Sequence, residues 1–226
     1  MPNWCANAVV ITATTPKNTV KLRDLKKRLD EGGTLFEFFM PYDPEKGSPW
    51  GTKWDVVPDS AYLDDDSMTL YFDSAWSPPT VLYDFLNENG WSVRAYYHEP
   101  GMAFVGRYED GDDDCYEYDV TDRESCEELP EDILDFAGIM DDVDRYEEEQ
   151  YEESIADLER TEWYPATTNP DKIGRYEVKR KDWEYVYMSE WDGKEWEQED
   201  VAFWRGVVEN PEWDPVAELD KIVAPE

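Results

Sequence analysis

Histidine, cysteine and basic residues are all scarce in this chain. His98 is the single histidine among 226 residues, and no serine or cysteine motif lies near it. Nucleophilic catalysis therefore has no support. Cys5, Cys115 and Cys126 lack the CxxC spacing of zinc and redox sites, which predicts reduced thiols. We expect no enzymatic activity, no cofactor and no metal centre.

Long apolar runs are absent as well. No stretch of about 18 apolar residues exists, and the N-terminal "MPNWCANAVV" lacks the basic and apolar regions of a secretory signal. Hydrophobic residues still make up 40% of the chain and aromatic residues 15%, which is enough to fill a core. We expect a folded, soluble protein of the cytoplasm.

The scarcity of basic residues leaves a large negative charge. Against 56 acidic residues stand 21 basic ones, so the net charge is −35. Nucleic acids and anionic membranes would repel such a chain, which excludes direct binding to either and favours a basic partner. The charge is uneven: −5 for residues 1–107, −22 for residues 108–159 and −8 for residues 160–226. We call residues 108–159 the acidic belt.

The acidic belt is predicted to contain a loop and an amphipathic helix. A helix begins at residues 130–132 and continues towards residue 160, with an apolar stripe that docks on the rest of the protein. Gly138 can divide this helix into two. Residues 109–128 are predicted to be an acidic loop, in which residues 115–120 can extend the preceding hairpin by a strand; the glycine and glutamate positions do not fit an EF-hand calcium site.

The first half of the chain alternates strand and helix patterns. Two helices between antiparallel strands suit a ferredoxin-like plan, so the predicted fold class is α+β: a ferredoxin-like antiparallel sheet with two helices, an acidic helical connection and a small C-terminal β-meander. Strands are predicted at residues 6–12, 34–43, 51–57, 67–76, 91–99 and 101–109, and helices at residues 15–31 and 77–90, the second capped by Ser77.

The first predicted helix has two different sides. Thr15 can cap it and Pro16 suits its first turn. Its apolar side carries Val20, Leu22, Leu25 and Leu29, and its other side carries Lys17, Lys21, Arg23, Lys26, Lys27 and Arg28. The basic side can contact a nucleic acid or an acidic partner, balance the acidic belt, or simply face solvent.

Several short motifs are specific enough to carry a family resemblance. They are "MPNWCANAVVIT", "FEFFMP", "WGTKWD", "FDSAWSPP" and "HEPGMAFVG", in this order. Over residues 1–120 the chain resembles the YubB-like family, small ferredoxin-like proteins of conjugative plasmids and phages. The resemblance implies a fold and a mobile-element origin. That family has no established chemistry, so no catalytic residue is implied.

Three domains are predicted. They are a ferredoxin-like domain at residues 1–122, an acidic helical segment at 123–162 and a small β-rich domain at 163–226. In the last of these, Asp192-Gly193 indicates a tight hairpin turn and residues 210–226 a tail with one helical turn. Residues 165–212 resemble a small β-module of phage proteins, of unknown function.

A second group of candidate residues is what we call the Trp-rich motif face. An aromatic pocket with two carboxylates would resemble a sugar-cleaving site. Alternatively the tryptophans pack against the sheet while the aspartates cap turns or pair with Lys53. In a third interpretation this face binds a partner protein and the acidic belt only keeps the protein solvated. The residues are Trp4, Trp50, Trp54, Asp55, Asp73 and Trp76.

The main hypothesis assigns partner binding to the acidic belt. A phage- or plasmid-type accessory protein could inhibit a basic host protein, such as a nucleic-acid-binding defence enzyme, by presenting a DNA-mimicking surface. The predicted contact residues are Asp112, Asp113, Asp114, Asp141, Asp142, Asp144, Glu147, Glu148, Glu149, Glu152 and Glu153.

Overall fold

The protein is a mixed α+β chain that divides into two compact units, residues 1–147 and 148–226. The domain boundaries predicted from the sequence lay at residues 122 and 162, whereas the contacts separate the chain after Glu147. The tail predicted at residues 210–226 lies outside the described residues. The computed structural model describes residues 3–43, 45, 47–156, 158, 160–181, 185–198 and 200–206.

An antiparallel six-stranded sheet is the frame of the first unit. Its strands are β1 (Trp4–Ala13), β2 (Ser60–Asp64), β3 (Ser67–Ala75), β4 (Trp91–Glu99), β5 (Phe104–Glu109) and β6 (Asp112–Glu117). Across the sheet the order is β2-β3-β1-β4-β5-β6. The central strand β1 pairs on both sides, with Val9 opposite Leu70 of β3 and Ala95 of β4. Successive side chains point to opposite faces, so the sheet has two separate surfaces to cover.

Helices cover one face of this sheet over strands β1 to β4. They are α1 (Pro16–Asp30), α2 (Phe36–Phe39) and α3 (Thr80–Glu88). Leu22 and Leu25 of α1 and Leu86 of α3 are buried against Val9 and the other inward residues of the strands. This is the larger of the two cores in the first unit.

Three further helices pack on the opposite face. They are α4 (Arg123–Glu127), α5 (Glu131–Ala137) and α6 (Ile139–Ile155), the last of which runs across the boundary between the units. Ile133, Ile139 and Val143 are buried against Val105 and Tyr118, which forms a second core beneath the acidic belt. On the same face, β1, β3 and β2 carry the exposed side chains of Trp4, Tyr71 and Tyr62.

Helix α1 agrees with the prediction except at one residue. Thr15 caps it, since its side-chain oxygen accepts a hydrogen bond from the Asn18 amide at 3.2 Å. Val20 is 54% exposed, so its assignment to the apolar side was wrong. Asn18 takes that place because it lies one turn before Leu22, and its side-chain amide is satisfied by the Gly90 carbonyl at 2.6 Å.

The strand predicted at residues 34–43 is wrong, because helix α2 occurs there. The Asp55 carboxylate accepts hydrogen bonds from the amides of Phe36 and Glu37, at 2.6 and 2.9 Å. These amides belong to the first turn of α2, where helices lack internal acceptors. A residue 19 positions away therefore imposes a helix on a segment with a strand-like composition.

The segment before β3 also differs from the prediction. Residues 51–57 form turns and irregular structure, and strand β2 lies instead at residues 60–64, between the predicted strands at 51–57 and 67–76. Thr52 is drawn to the end of β3, where its hydroxyl donates to the Ala75 carbonyl at 2.8 Å. Ser77 does not cap α3; its hydroxyl donates to the Gly51 carbonyl at 2.9 Å. The sequence pattern predicted a strand at Thr52 and a helix cap at Ser77, but both hydroxyls instead bind carbonyl groups of other segments.

The acidic belt is more structured than predicted. Strand β6 and helix α4 occupy most of the predicted loop at residues 109–128; β6 overlaps the hairpin extension considered at residues 115–120 but begins at Asp112, and α4 was not predicted. The predicted break at Gly138 is confirmed: its φ of +64° ends α5, and α6 begins at the next residue. Helix α6 ends at Ile155, five residues before the predicted limit. None of the described helices is long and apolar enough to cross a membrane.

A four-stranded antiparallel sheet forms the second unit. Its strands are β7 (Tyr164–Pro165), β8 (Gly174–Lys179), β9 (Tyr187–Trp191) and β10 (Phe203–Arg205), in the order β7-β10-β8-β9. The predicted meander was wrong, since β10 lies between β7 and β8. The turn at Asp192-Gly193 is confirmed, and Asp192 accepts hydrogen bonds from the amides of Lys194 and Glu195.

Candidate partner-binding surfaces

The predicted contact residues lie on regular elements rather than on a loose loop. Asp112, Asp113 and Asp114 are on β6, the edge strand of the sheet, and the other eight are on α6. Ten of the eleven are exposed, and Asp142 is half-buried. Buried Ile139 and Val143 hold the first part of α6 on the sheet. The acidic groups of the first unit are thus carried by a packed scaffold.

Arg107 joins the acidic strand to the acidic helices. This β5 residue donates to Asp114 of β6 at 3.1 Å and to Asp132 of α5 at 3.0 Å. The Tyr96 hydroxyl also donates to Asp132, at 2.8 Å. Burial alone would raise the pKa of Asp132, but these hydrogen bonds lower it below its usual value. Asp114 of β6 and Asp132 of α5 therefore share one guanidinium.

Arg123 makes the corresponding link within the helices. Its guanidinium on α4 binds both carboxylate oxygens of Glu147, each at 2.8 Å, and also binds Asp144 of α6. The hydrogen bonds that Arg123 donates to Glu147 and Asp144 raise the pKa of Arg123 above its usual value. Arg145 pairs with Asp142 on the same helix. Two arginines thus fix three of the predicted contact residues in place, a role that their spacing in the sequence did not indicate.

The remaining carboxylates of α6 are left for solvent or a partner. Within the described part of the chain, they have no basic residue within 4 Å. They are Asp141, Glu148, Glu149, Glu152 and Glu153. The last four belong to the part of α6 that lies in the second unit.

The basic side of α1 lies on the opposite face of the sheet. Leu22 and Leu25 of α1 are in the first core, whereas α4, α5 and α6 pack on the second. The ion pairs of α1 among the described residues are local, from Lys26 to Asp30 and from Arg28 to Glu37. The geometry therefore does not support α1 as an internal counterweight of the belt. Within the first unit, α1 and the acidic helices α4 and α5 therefore lie on opposite faces of the sheet.

Two residues of the Trp-rich motif face are structural. The Trp50 side chain is buried, packs on Phe36 with ring centroids 5.6 Å apart, and donates from Nε1 to the Met40 carbonyl at 2.8 Å. Both oxygens of Asp55 accept backbone amides, including that of Val56 at 2.7 Å. Trp50 and Asp55 thus hold the loop in shape and do not present their side chains to a partner.

Three other tryptophans converge at the surface. Trp4, Trp54 and Trp76 are 49%, 44% and 40% exposed. The Trp54 ring centroid is 6.2 Å from that of Trp4 and 5.9 Å from that of Trp76. Lys53 places its Nζ 4.9 Å from the Trp54 centroid and 4.6 Å from the Trp76 centroid. We call Trp4, Trp54 and Trp76 the indole cluster; the contribution of Lys53 was not foreseen.

Asp73 lies on the exposed side of β3, opposite Ala6 of β1. Burial of its carboxyl, and next the negative charge of Asp59, raise the pKa of Asp73 above its usual value. Asp55, the other carboxylate of the proposed sugar-cleaving pair, is fully engaged with backbone amides. In the described part of the chain, no group of three or more His, Cys, Asp or Glu residues is arranged to hold a metal ion.

We expect the single histidine to make the stability of the protein depend on pH. The His98 Nε2 lies 2.7 Å from the Tyr118 hydroxyl, and burial lowers the pKa of His98 below 6.5, although Asp142 and Glu99 oppose this. The folded protein binds this proton less readily than the unfolded chain, so stability is complete above about pH 6.5 and falls as the pH drops towards the folded pKa. Chemical denaturation at pH 7.5 and 5.5 measures the difference. Between these pH values the free energy of unfolding should fall by more in wild type than in His98→Gln. An equal fall in both proteins would contradict this assignment.

Two chemically different surfaces are thus present in the first unit. One is a set of carboxylates on β6 and on the helices, and the other is the indole cluster. Carboxylates attract basic groups over long distances, and indole faces attract cations at short range. No protein-family model, curated protein or solved structure matches the chain. The proposed function is therefore based on the sequence and structure of this protein.

Proposed function

We propose that the protein is a non-enzymatic accessory protein of phage or plasmid type that occupies the nucleic-acid-binding surface of a basic host protein. The acidic belt is the contact surface, and the target is a defence enzyme or another nucleic-acid-binding protein of the host cytoplasm. One observation carries the proposal: within the first unit, exposed carboxylates are mounted on a paired edge strand and on helices that pack on the face of the sheet opposite α1.

The spacing of charge along α6 supports mimicry of a nucleic acid strand. The helix has eight acidic residues and one arginine in 17 residues, a net charge of −7. At 1.5 Å per residue it is about 25 Å long, so it presents one net charge per roughly 3.6 Å. A single DNA strand presents one phosphate per about 3.4 Å along the axis. The helix therefore approximates the charge density of one strand.

The carboxylates of β6 and α5 extend this surface within the first unit. Arg107 contacts Asp114 and Asp132 at once, so the edge strand and the helix present their acids next to each other. Groups that are already held in place lose little conformational entropy when a partner binds. A rigid acidic surface should therefore bind a basic cleft more tightly than a flexible acidic tail of equal charge.

The strand order supports the ferredoxin-like part of the proposal. The first four strands lie in the order β2-β3-β1-β4, with helices α1 and α3 following β1 and β3. A split β-α-β arrangement has this order. Strands β5 and β6 are additions beyond it. The resemblance of residues 1–120 to the YubB-like family supports the mobile-element origin.

A capture experiment with a charge-neutral variant tests the function. Immobilised wild-type protein is expected to retain nucleic-acid-binding proteins from a bacterial lysate, and duplex DNA should release them. The variant has Asp141→Asn, Asp144→Asn, Glu147→Gln, Glu148→Gln, Glu149→Gln, Glu152→Gln and Glu153→Gln. Once a captured protein is purified, its affinity for the variant should be at least about 100-fold lower, and raising NaCl from 50 to 200 mM should weaken wild-type binding by a similar factor.

The control neutralises the same number of acids elsewhere. It replaces Asp24, Asp30, Glu31, Asp64, Asp65, Asp66 and Glu88 by their amides, all outside the acidic belt. This control should bind within a few-fold of wild type if the position of the charge matters. Equal losses in both variants would indicate an effect of net charge alone, and retention that DNA does not compete would refute the proposed mimicry.

A further inference from the structure

The indole cluster is exposed, and the contacts that hold its loops in place are made by other residues. In the motifs "WGTKWD" and "FDSAWSPP", which supply Trp54 and Trp76, Trp50 and Thr52 are buried and Asp55 and Ser77 bind backbone groups. These four residues account for the structure of the loop. The cluster and Lys53 contact one another at the protein surface, through the ring pairs Trp4–Trp54 and Trp54–Trp76 and the ammonium of Lys53.

Trp76 occupies an unfavourable backbone conformation to join the cluster. Its φ is +66°, in the left-handed region that bulky residues rarely adopt. The Trp76 amide is held by the Asn3 carbonyl at 3.0 Å, so the strand ends next to the start of β1. Glycine would suit this position better. A large exposed ring at a strained position is typical of a residue kept for binding.

The ring geometry indicates the kind of ligand. Trp54 and Trp76 are inclined at 34° to each other, and Trp4 and Trp54 at 48°. They do not form one flat platform, but two of them face the point where the Lys53 ammonium lies, within 5 Å of both centroids. The negative faces of aromatic rings attract a cation at this distance. A guanidinium is more weakly hydrated than an ammonium and stacks on indoles, so it should compete well with Lys53.

We propose that the indole cluster is a recognition site for a cationic side chain, above all arginine, of the partner protein, and that Lys53 holds its place in the free protein. Arginine is abundant on nucleic-acid-binding surfaces, which makes the chemistry of this site consistent with the partner inferred above. Asp73 lies on the same exposed face of the sheet and adds negative charge to it. The inference rests on the proposed function only for the basic character of the partner.

Indole NMR signals provide a direct test with a small probe. The protein carries ¹⁵N-labelled tryptophan, and the probe is N-acetyl-L-arginine methylamide. The probe is expected to shift the Nε1–H signals of Trp54 and Trp76, which Trp54→Phe and Trp76→Phe identify. Its uncharged isostere, N-acetyl-L-citrulline methylamide, should have no effect at the same concentration. Lys53→Ala should strengthen binding of the arginine probe at least threefold, because the competing ammonium is removed.

Two variants separate binding from folding. Trp76→Gly should unfold no more readily than wild type, since glycine adopts this φ freely, yet bind the probe at least tenfold more weakly. Tyr62→Ala, which removes another exposed aromatic ring of the same sheet face, should bind it as wild type does. The charge-neutral belt variant should also retain the probe, so failure of this site and failure of the acidic belt can be distinguished.

Three outcomes would overturn the inference. Equal shifts with citrulline would show that charge is irrelevant, and weaker binding by Lys53→Ala would show that Lys53 assists rather than competes. Binding of methyl β-D-glucopyranoside in place of the arginine probe would assign the cluster to a saccharide.

Discussion

Asp55→Ala is expected to lower the free energy of unfolding by about 4 kcal/mol. The carboxylate accepts hydrogen bonds from the amides of Phe36, Glu37 and Val56 at 2.6 to 2.9 Å. A hydrogen bond to a charged group contributes about 1.5–3 kcal/mol, and partial exposure places these three near the lower limit. Urea denaturation followed by circular dichroism measures the loss.

The effect should depend on the position of the carboxylate and not on its charge alone. Asp55→Asn keeps one acceptor oxygen, so about half of the loss is expected. Asp59→Ala removes a nearby carboxylate for which no backbone partner is found in the described residues, and it should change stability by less than about 0.5 kcal/mol. If Asp55→Ala loses less than about 1 kcal/mol, α2 does not depend on this cap.

Asp55→Ala should also affect the indole cluster, since Trp54 and Lys53 precede Asp55 in the same loop. Without the carboxylate, residues 34–43 lose the contact that makes their first turn helical. Binding of the arginine probe should therefore weaken even under conditions where the variant remains folded. The same NMR titration measures this weakening.

Gly106→Ala is expected to cost about 3 kcal/mol of stability and to loosen the acidic edge strand. A methyl group at Gly106 would lie 2.3 Å from the Tyr97 hydroxyl oxygen and 2.5 Å from the Asp114 carbonyl oxygen. Tyr97 cannot move aside easily, because it is buried and donates to Asp113 at 2.6 Å. Overpacking of this kind commonly costs about 1–3 kcal/mol, and contact with the backbone of β6 places the cost at the upper limit.

Gly111→Ala is the matched control for Gly106→Ala. Gly111 lies in the turn between β5 and β6, has a φ of +108° and has open space around it. Only conformational strain is expected there, about 1 kcal/mol. Hydrogen exchange of the β6 amides should accelerate in Gly106→Ala and change little in the control. Equal stability losses in the two variants would contradict the steric explanation.

The sequence was sufficient to predict an element where the spacing of apolar residues and the capping or turn residues at its ends indicate the same element. Strand β1, helix α1 with its Thr15 cap, the β4–β5 hairpin and the break at Gly138 were all predicted. Each depends on residues within one or two turns of the element. The same reasoning failed for Val20, because the face that a helix buries depends on where the sheet lies and Asn18 can be satisfied there.

The candidate surfaces were predicted only in part. The acidic residues of the belt were evident from composition, and the structure places most of them at the surface. Their links through Arg107 and Arg123 were not evident, because the carboxylates of Asp114, Asp132 and Glu147 that these arginines bind lie 7 to 25 residues away. The sequence also did not show that Trp50 is buried while Trp4, Trp54 and Trp76 are exposed, because contacts with residues distant in the chain decide which tryptophans are covered.

The sequence by itself determined the sign and concentration of charge in the acidic belt, the α+β class and the strongly periodic elements. These properties follow from composition and from interactions between near neighbours in the chain. Only the tertiary structure decided that α2 is a helix, that α4, α5 and the first part of α6 pack on the face of the sheet opposite α1, and that Trp4, Trp54 and Trp76 meet. Hydrogen bonds and packing between residues distant in the chain decide such features. The local spacing of apolar residues gives no information about these contacts.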